Sequence, residues 1–594
     1  MPPLSKETLT CLFLLVISLF VYSRGLSVHG IEYRDDEIFY FKSTQEMVAT
    51  GNYLSPKYFG EDRFQKPILY YWLVVLSYQV FGVNWASARL VAVLFAGLTV
   101  CLTWLLGVKL FDRRVADLSA AVLMTVPLFF RHAKNAVPDM ALNFFIVLAI
   151  YYGVKALQSA AQIPPEPKAE TASSKYSLLF FVACAAGFMI KGLAAVVVPF
   201  LTMILYGWLT LDSKRVHRLR LIRGLLVMSA IICPWFLYMA QVHGQGYLNY
   251  MLIVETKNRL ITTGNGNILL RTAANFFDHI IFYFGAIGTY FAPWSVFLLG
   301  GIPLAFSKIR TDDQSRMGLE LMLIWFFVVF VFFSTMYTSL SHYMLVLSTP
   351  FAVLVSFFLL ENFDKTVSFG RSLVRLRKYL LIFIFTVSAA VFGFLFVFMA
   401  GAGKWWLAVL ALSYLVLLRV MLTGTKSATA PMILGGFILF VFAQSTLLDR
   451  AGVTPHAALQ KFARTINAEI KIGAPGGAVI GVGSHDIHEK EFQVYFDQRV
   501  EKAAGSVADE TRDKLSKLFS TEKELYCLIT EKDFYQFLKG SSPGTIEVIQ
   551  EDYIIRKRFN IDSGFFSALL RLDQSAVHDY MMEKLVLVKK KPNA

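Results

Sequence analysis

What most constrains this chain is a succession of apolar runs, each of the length that crosses a bilayer. A hydrocarbon core takes about 20 helical residues at 1.5 Å each. Runs of that order fall at 8–24, 86–108, 115–130, 138–157, 176–190, 193–209, 224–240, 281–304, 318–336, 343–360, 379–400, 405–422 and 430–447. By the hydropathy criterion these are about thirteen spans. The 594 residues are 56% hydrophobic and only 17% charged, with a mean hydropathy of +0.54, which excludes an ordinary soluble protein. The expectation is a polytopic α-helical membrane protein. The segment PILYYWLVVLSYQVFG (67–82) is apolar but short and aromatic-rich, as an interfacial or re-entrant helix would be. Residues 8–22 resemble a signal-peptide core, yet SRGLSVHG lacks a small-x-small cleavage site, so an uncleaved first span is expected.

Formal net charge is +15, but the basic residues cluster in short loops between apolar runs, where membrane orientation accounts for them. Nucleic acid is therefore not an expected partner. The Lys- and Arg-rich loops at 109–114, 158–175, 212–223, 307–316, 361–378 and 423–429 alternate with poorer ones. That bias puts the amino terminus in the cytoplasm and the chain end outside. None of the five cysteines has the spacing of a metal or redox site.

The stretch AAQIPPEPKAETASSK (160–175) reads as a flexible connector. Beyond Leu448 the composition becomes that of a soluble protein. Residues 454–471 have helical periodicity, 476–483 and 524–530 read as buried strands, and 546–559 as edge strands. The expected layout is a transmembrane domain over 1–450, with outer-face loops at 26–85 and 241–280, and an outward-facing α/β domain over 451–594. The GVGSH in the latter is too short a signal for a nucleotide loop.

On this topology the polar residues at span ends gather on the outer face. They are Asp35, Asp36 and Glu37 after the first span, Lys66 before the short helix, Arg131 and Asp139 in RHAKNAVPD, and Lys191 in IKG. Glu255 and Arg259 in ETKNR, and His342 and Tyr343 in SHY, complete the set. Each has a bland reading. Asp35, Asp36 or Asp139 would cap a helix, Arg131 would anchor an interface, and His342 with Tyr343 would sit in an aromatic belt. Together they place carboxylates able to orient or deprotonate a nucleophile beside cations able to hold a phosphate. A transporter would place ionisable groups near mid-span, whereas these spans are nearly free of charge.

The order of motifs is itself familiar. DDE, then QEMVATGNYLSPKYFGEDRFQKPILYYWL, ASARL, RHAKNAVPDMAL, MIKGLA, APWS and SLSHYMLVLSTP together resemble the GT-C membrane glycosyltransferases. The nearest branch in this respect is the lipid A aminoarabinose transferases, with the protein O-mannosyltransferases as relatives. The resemblance covers about residues 1–360. It implies transfer of a sugar, pentosyl or hexosyl, from undecaprenyl phosphate to an envelope acceptor at the outer face of a bacterial inner membrane. Lipid A or other lipopolysaccharide is the favoured acceptor, and inversion at the sugar the expected course. It further implies Asp36 as catalytic aspartate with Glu37 beside it, and Asp139 as the second aspartate. Lys66 and Arg259 would bind the donor phosphate, with Arg131 and Lys191 as further cations; Asp35, Glu255, His342 and Tyr343 would line the cavity. The family tract YFEKPP is RFQKPI here, and DETR is DEIF, so a family glutamate and an arginine are missing. No metal or other cofactor is expected from ligand spacing. The alternatives are a protein O-mannosyltransferase-like enzyme and a polytopic lipid or solute transporter.

Overall fold

In the computed structural model the apolar runs are helices whose starts are set by ordinary capping chemistry. The structure describes residues 5–26, 36–158, 167–211, 213–251, 268–292, 294–336 and 338–364, single positions between 386 and 419, and segments within 455–590. The expected spans at 379–400, 405–422 and 430–447 fall outside the described residues apart from those single positions. Contacts divide the chain into two units: Met1–Leu26 with Tyr40–Lys378, and Ser27–Phe39 with Tyr379–Ala594.

The helices begin with α1 (Lys6–Tyr22), α2 (Asp36–Thr50), α3 (Leu69–Phe81), α4 (Trp85–Leu110), α5 (Arg113–Thr125) and α6 (Pro127–His132). Side chains of Ser5, Asn84 and Asp112 accept from the backbone amides of Thr8, Ser87 and Val115 at the starts of α1, α4 and α5, satisfying donors that no helical carbonyl can reach. Next come α7 (Asp139–Gln158), α8 (Pro167–Lys191), α9 (Ala194–Tyr206), α10 (Leu221–Asn249), α11 (Ile268–Tyr290), α12 (Ser295–Ile309), α13 (Asp313–Ser334) and α14 (Ser348–Asp364). Among the described residues seven helices are long and apolar enough to cross a membrane, or eight if one bent pair counts as a single span. At 13 residues α3 is an apolar helix too short to be one of them.

Three sequence expectations are corrected. The run 115–130 is two helices, because Val126 takes an extended ψ of 119° ahead of Pro127 and a residue before proline avoids the helical region. The run 281–304 is likewise broken: Phe276–Tyr290 and Ser295–Ile309 bend by 117°. The connector 160–175 is shorter than its composition suggested, since α8 already begins at Pro167, proline being well suited to a first helical turn. The short apolar helix expected at 67–82 is present as α3, and α2 precedes it.

One further element matters for the site. A two-residue turn at Phe59–Gly60, with φ of 51° and 79°, joins β1 (Lys57–Tyr58) to β2 (Glu61–Asp62). Both central residues have positive φ, the type I′ geometry that matches strand twist.

The second unit contains a five-stranded mixed sheet. Its strands are β3 (Val479–Val482), β4 (Val500–Lys502), β5 (Leu525–Thr530), β6 (Ile546–Ile555) and β7 (Met582–Lys590), in the order β4-β3-β5-β7-β6. Strands β3, β4 and β5 are parallel, while β7 runs antiparallel to both its neighbours. All six residues of β5 are buried, and their alternation feeds two cores. Tyr526 and Leu528 join Leu459, Phe462 and Ile466 of the helix Pro455–Gly473, whereas Leu525, Cys527 and Ile529 join Leu515 of the helix Ala508–Phe519. The α/β expectation for this part holds, with β6 at an edge as its alternation suggested.

Candidate active site

Helices α7 and α8 form an antiparallel hairpin, so the first residue of one meets the last residue of the other. Asp139 opens α7 directly after Pro138, where a helix amino terminus favours a carboxylate. Lys191 closes α8, where a carboxyl terminus favours a cation. Gly192, at φ 103°, then ends the helix in a conformation that suits glycine. The result is one short contact: Lys191 Nζ donates to Asp139 Oδ1 at 2.6 Å. Their side chains are only 14% and 11% exposed, so the pair is largely removed from solvent.

Two histidines flank it. His342 Nε2 lies 3.7 Å from Asp139 Oδ1, and the rings of His342 and His132 are 6.0 Å apart. His132, at the end of α6, is buried and its Nδ1 lies 2.9 Å from the Leu128 carbonyl. A carbonyl only accepts, so that nitrogen carries the proton and leaves Nε2 as the variable one. Tyr343 stacks on Phe333 at 4.8 Å, and its ring centroid is 5.9 Å from Lys191 Nζ. Both His342 and Tyr343 belong to the 3₁₀ segment Ser341–Leu347 that precedes α14.

These groups border a cavity of about 310 Å³. Asp139, Lys191, His342, Tyr343, Gln65 and Pro67 line it, the rest of the wall being mainly apolar and aromatic. Lys66 is half-buried between two wall residues.

The tract carrying Gln65 and Lys66 is fixed from two sides. From α10, Trp235 Nε1 donates to the Leu54 carbonyl at 2.9 Å and His243 Nε2 lies 2.7 Å from Ser55 Oγ. Phe64 packs edge-on against His243, Tyr247 and Tyr250. From α3, Trp72 Nε1 donates to the Tyr53 carbonyl at 2.7 Å, and Arg63 Nε donates to Tyr71 Oη at 2.9 Å. His243 Nδ1 is also 3.3 Å from Asp62 Oδ2. Ser55, His243 and Asp62 thus fall in the order of a nucleophile relay. Ser55 is only 4% exposed and does not line this cavity, so the three act as a fastening.

The structure brings together Asp139, Lys191, His342 and Tyr343 from sites scattered over some 200 residues of sequence. Asp36 and Glu37 occupy the first turn of α2, Asp36 exposed and Glu37 buried. Arg131 is half-buried in α6, beside His132, and is not among the lining residues. Asp35, Glu255 and Arg259 lie outside the described residues. His132 also lies within RHAKNAVPD, but its place beside the pair depends on burial, which the sequence does not mark. Among the described residues no group of three His, Cys, Asp or Glu side chains is gathered as a metal site.

Comparison with known proteins agrees with this architecture. The sequence model of the Dolichyl-phosphate-mannose-protein mannosyltransferase family matches residues 8–249. An undecaprenyl phosphate-alpha-4-amino-4-deoxy-L-arabinose arabinosyl transferase 2 of Proteus mirabilis is 28% identical over 395 residues, 64% of this chain and 66% of the relative. One of the same description from Pseudomonas fluorescens is 29% identical over 58% of each chain. The match therefore spans less than two thirds of these relatives' own length. In overall structure the chain is similar to ArnT from Cupriavidus metallidurans, crystallised with undecaprenyl phosphate, with a TM-score of 0.66, 18% identity and 98% of both chains covered. Sequence and structure thus agree: the chain has the fold of ArnT and is similar in sequence to the aminoarabinosyl transferases and, over residues 8–249, to the mannosyltransferase family.

Proposed function

We propose that the chain transfers a sugar from undecaprenyl phosphate to an envelope acceptor, with lipid A or other lipopolysaccharide favoured, at the periplasmic face of a bacterial inner membrane. The observation that carries this reading is the Asp139–Lys191 pair with His342 in the wall of a cavity whose rim holds the Gln65–Lys66 tract. Ionisable groups in an apolar helical unit are costly and serve a function by default. Here they sit at helix ends, where a transporter's mid-span site would not be.

In the proposed reaction an acceptor oxygen attacks the anomeric carbon while the bond to the phosphate oxygen breaks. The phosphate leaves with the electron pair and the sugar inverts. Lys66 and Arg259 stabilise the departing polyprenyl phosphate, with Arg131 as a further cation. Fixed charge aimed at developing charge is usually the largest protein contribution. Asp36, supported by Glu37, orients the acceptor or takes its proton when the acceptor is a hydroxyl; a phosphate acceptor is already anionic and has none to give. Lys191 holds Asp139 and, with His342 and Tyr343, shapes the donor side of the cavity. The positive-inside bias supports a cytoplasmic amino terminus and a periplasmic carboxy-terminal domain.

Losing one well-placed charged donor costs about 3–4 kcal/mol in the transition state. Lys66→Ala is therefore expected to lose roughly two orders of magnitude of transfer while inserting normally. The measurement is mass spectrometry of lipid A and other envelope glycolipids from cells carrying wild type, Lys66→Ala or Asp36→Ala. Full transfer by both variants sinks the reading. The match to the mannosyltransferase family over residues 8–249 favours a second acceptor, a protein hydroxyl. A sugar mass found on envelope protein and absent from glycolipid selects it.

A further inference from the structure

Gln65 presents a buried hydrogen-bond acceptor to which no described residue donates. Its Oε1 is buried without a partner, and the residue lines the cavity that holds Asp139, Lys191 and His342. A buried acceptor left unsatisfied is unfavourable, and native structures keep few of them without a reason such as a group supplied from outside. Charge narrows what that group can be. Among the described lining residues Asp139 is the one carboxylate, and Lys191 already takes it at 2.6 Å. The remaining wall, including Phe188, Phe236 and Phe333, adds no negative charge. Among the described lining residues, an ammonium entering here would meet the Lys191 cation with no carboxylate left to balance it. A hydroxyl donates to the amide and brings no charge.

We propose that Gln65 is a specificity determinant for the donor: it accepts from a sugar hydroxyl, and the cavity takes a neutral sugar in preference to an amino sugar. This rests on the transferase reading and adds the class of sugar to it. The aminoarabinosyl transferases that the chain resembles are named for a sugar that carries an amine, so the inference separates this chain from them on chemistry.

The test uses the full chain reconstituted in phospholipid vesicles at pH 7. Two donors are compared, undecaprenyl-phosphate-linked arabinose and its 4-amino-4-deoxy counterpart, each competing against sugar-free undecaprenyl phosphate. The hydroxyl donor is expected to bind at least about tenfold tighter than the amino donor, a difference of about 1.4 kcal/mol. Gln65→Glu moves that ratio towards the amino donor by a similar factor. Gln65→Met, close in shape but without the acceptor, weakens the hydroxyl donor and keeps its thermal unfolding in detergent. Equal or tighter binding of the amino donor by wild type overturns the inference and leaves the transferase reading standing. A folded chain that binds no undecaprenyl phosphate overturns both, which distinguishes the two failures.

Discussion

In the carboxy-terminal sheet Lys584 sits between Glu531 at 2.8 Å and Glu551 at 2.7 Å, its side chain 24% exposed and those of the glutamates 37% and 47%. In the helical unit Lys191 meets Asp139 at 2.6 Å, with 14% and 11% exposure. The distances are alike and the settings are not. Lys584 has two partners that water also solvates, and such pairs contribute about 0–1 kcal/mol. Lys191 and Asp139 face apolar neighbours on the cavity wall, where losing one partner strands the other. A lysine–carboxylate contact thus says little about function until its surroundings are known, and the helical unit is where this contact is informative.

The comparison can be broken most severely at Lys191. Lys191→Ala should destabilise the chain by about 3–5 kcal/mol, read as a lowered unfolding temperature in detergent. A change within experimental error would mean that Asp139 is solvated and the two settings are equivalent. The double variant Lys191→Met with Asp139→Asn removes both charges together and should recover most of that stability, since paired removal is often near neutral. Transfer should stay low in the double variant if the pair shapes the donor side, and its return to wild-type rate would make the pair purely structural.

A smaller effect is expected where the Lys66 tract is fastened. His243→Phe leaves the Ser55 hydroxyl, 4% exposed, without its 2.7 Å partner, at a cost of about 1–3 kcal/mol. Because the tract is misplaced rather than discharged, donor KM should rise more than kcat falls, and steady-state kinetics at varied donor separates the two. The smallest effect belongs to the sheet. Lys461→Met removes the 2.8 Å contact with Asp552, in which Lys461 is 62% exposed, and should cost no more than about 1 kcal/mol. Burial pushes the Cys527 thiol well above its ordinary value, so in a chain retaining only that cysteine, maleimide labelling reports opening of the sheet. Labelling that speeds up more than about fivefold in Lys461→Met would show the surface pair to matter as the buried one does.

Much of this architecture is legible because hydropathy and cap residues are local signals. The helix Trp85–Leu110 was expected at 86–108, and Asn84 is a natural cap ahead of it. Prolines stand at both breaks, in TVP and APW, but Pro199, Pro234 and Pro303 lie inside α9, α10 and α12, so a proline in an apolar run does not by itself place a break. In the second unit β3, β5 and β6 follow from apolar runs, while β7 (MEKLVLVKK) carries lysines and a glutamate that disguise a strand paired on both sides. The site is legible only in part. Asp139 and Lys191 were each noticeable as charges between apolar runs, yet 52 residues separate them, and only the hairpin makes them partners. His132 and the unpartnered amide of Gln65 depend on burial, which no spacing encodes.

The same hairpin has a practical consequence. Asp139 and Lys191 occupy its open end, so Gln158, at the far end of α7, lies about 30 Å away, the length of a 20-residue helix. A cysteine, an affinity tag or a fluorophore placed there reports from the opposite end of two rigid rods. It can follow insertion, stoichiometry or tilt of this protein in a living membrane without touching an atom of the cavity.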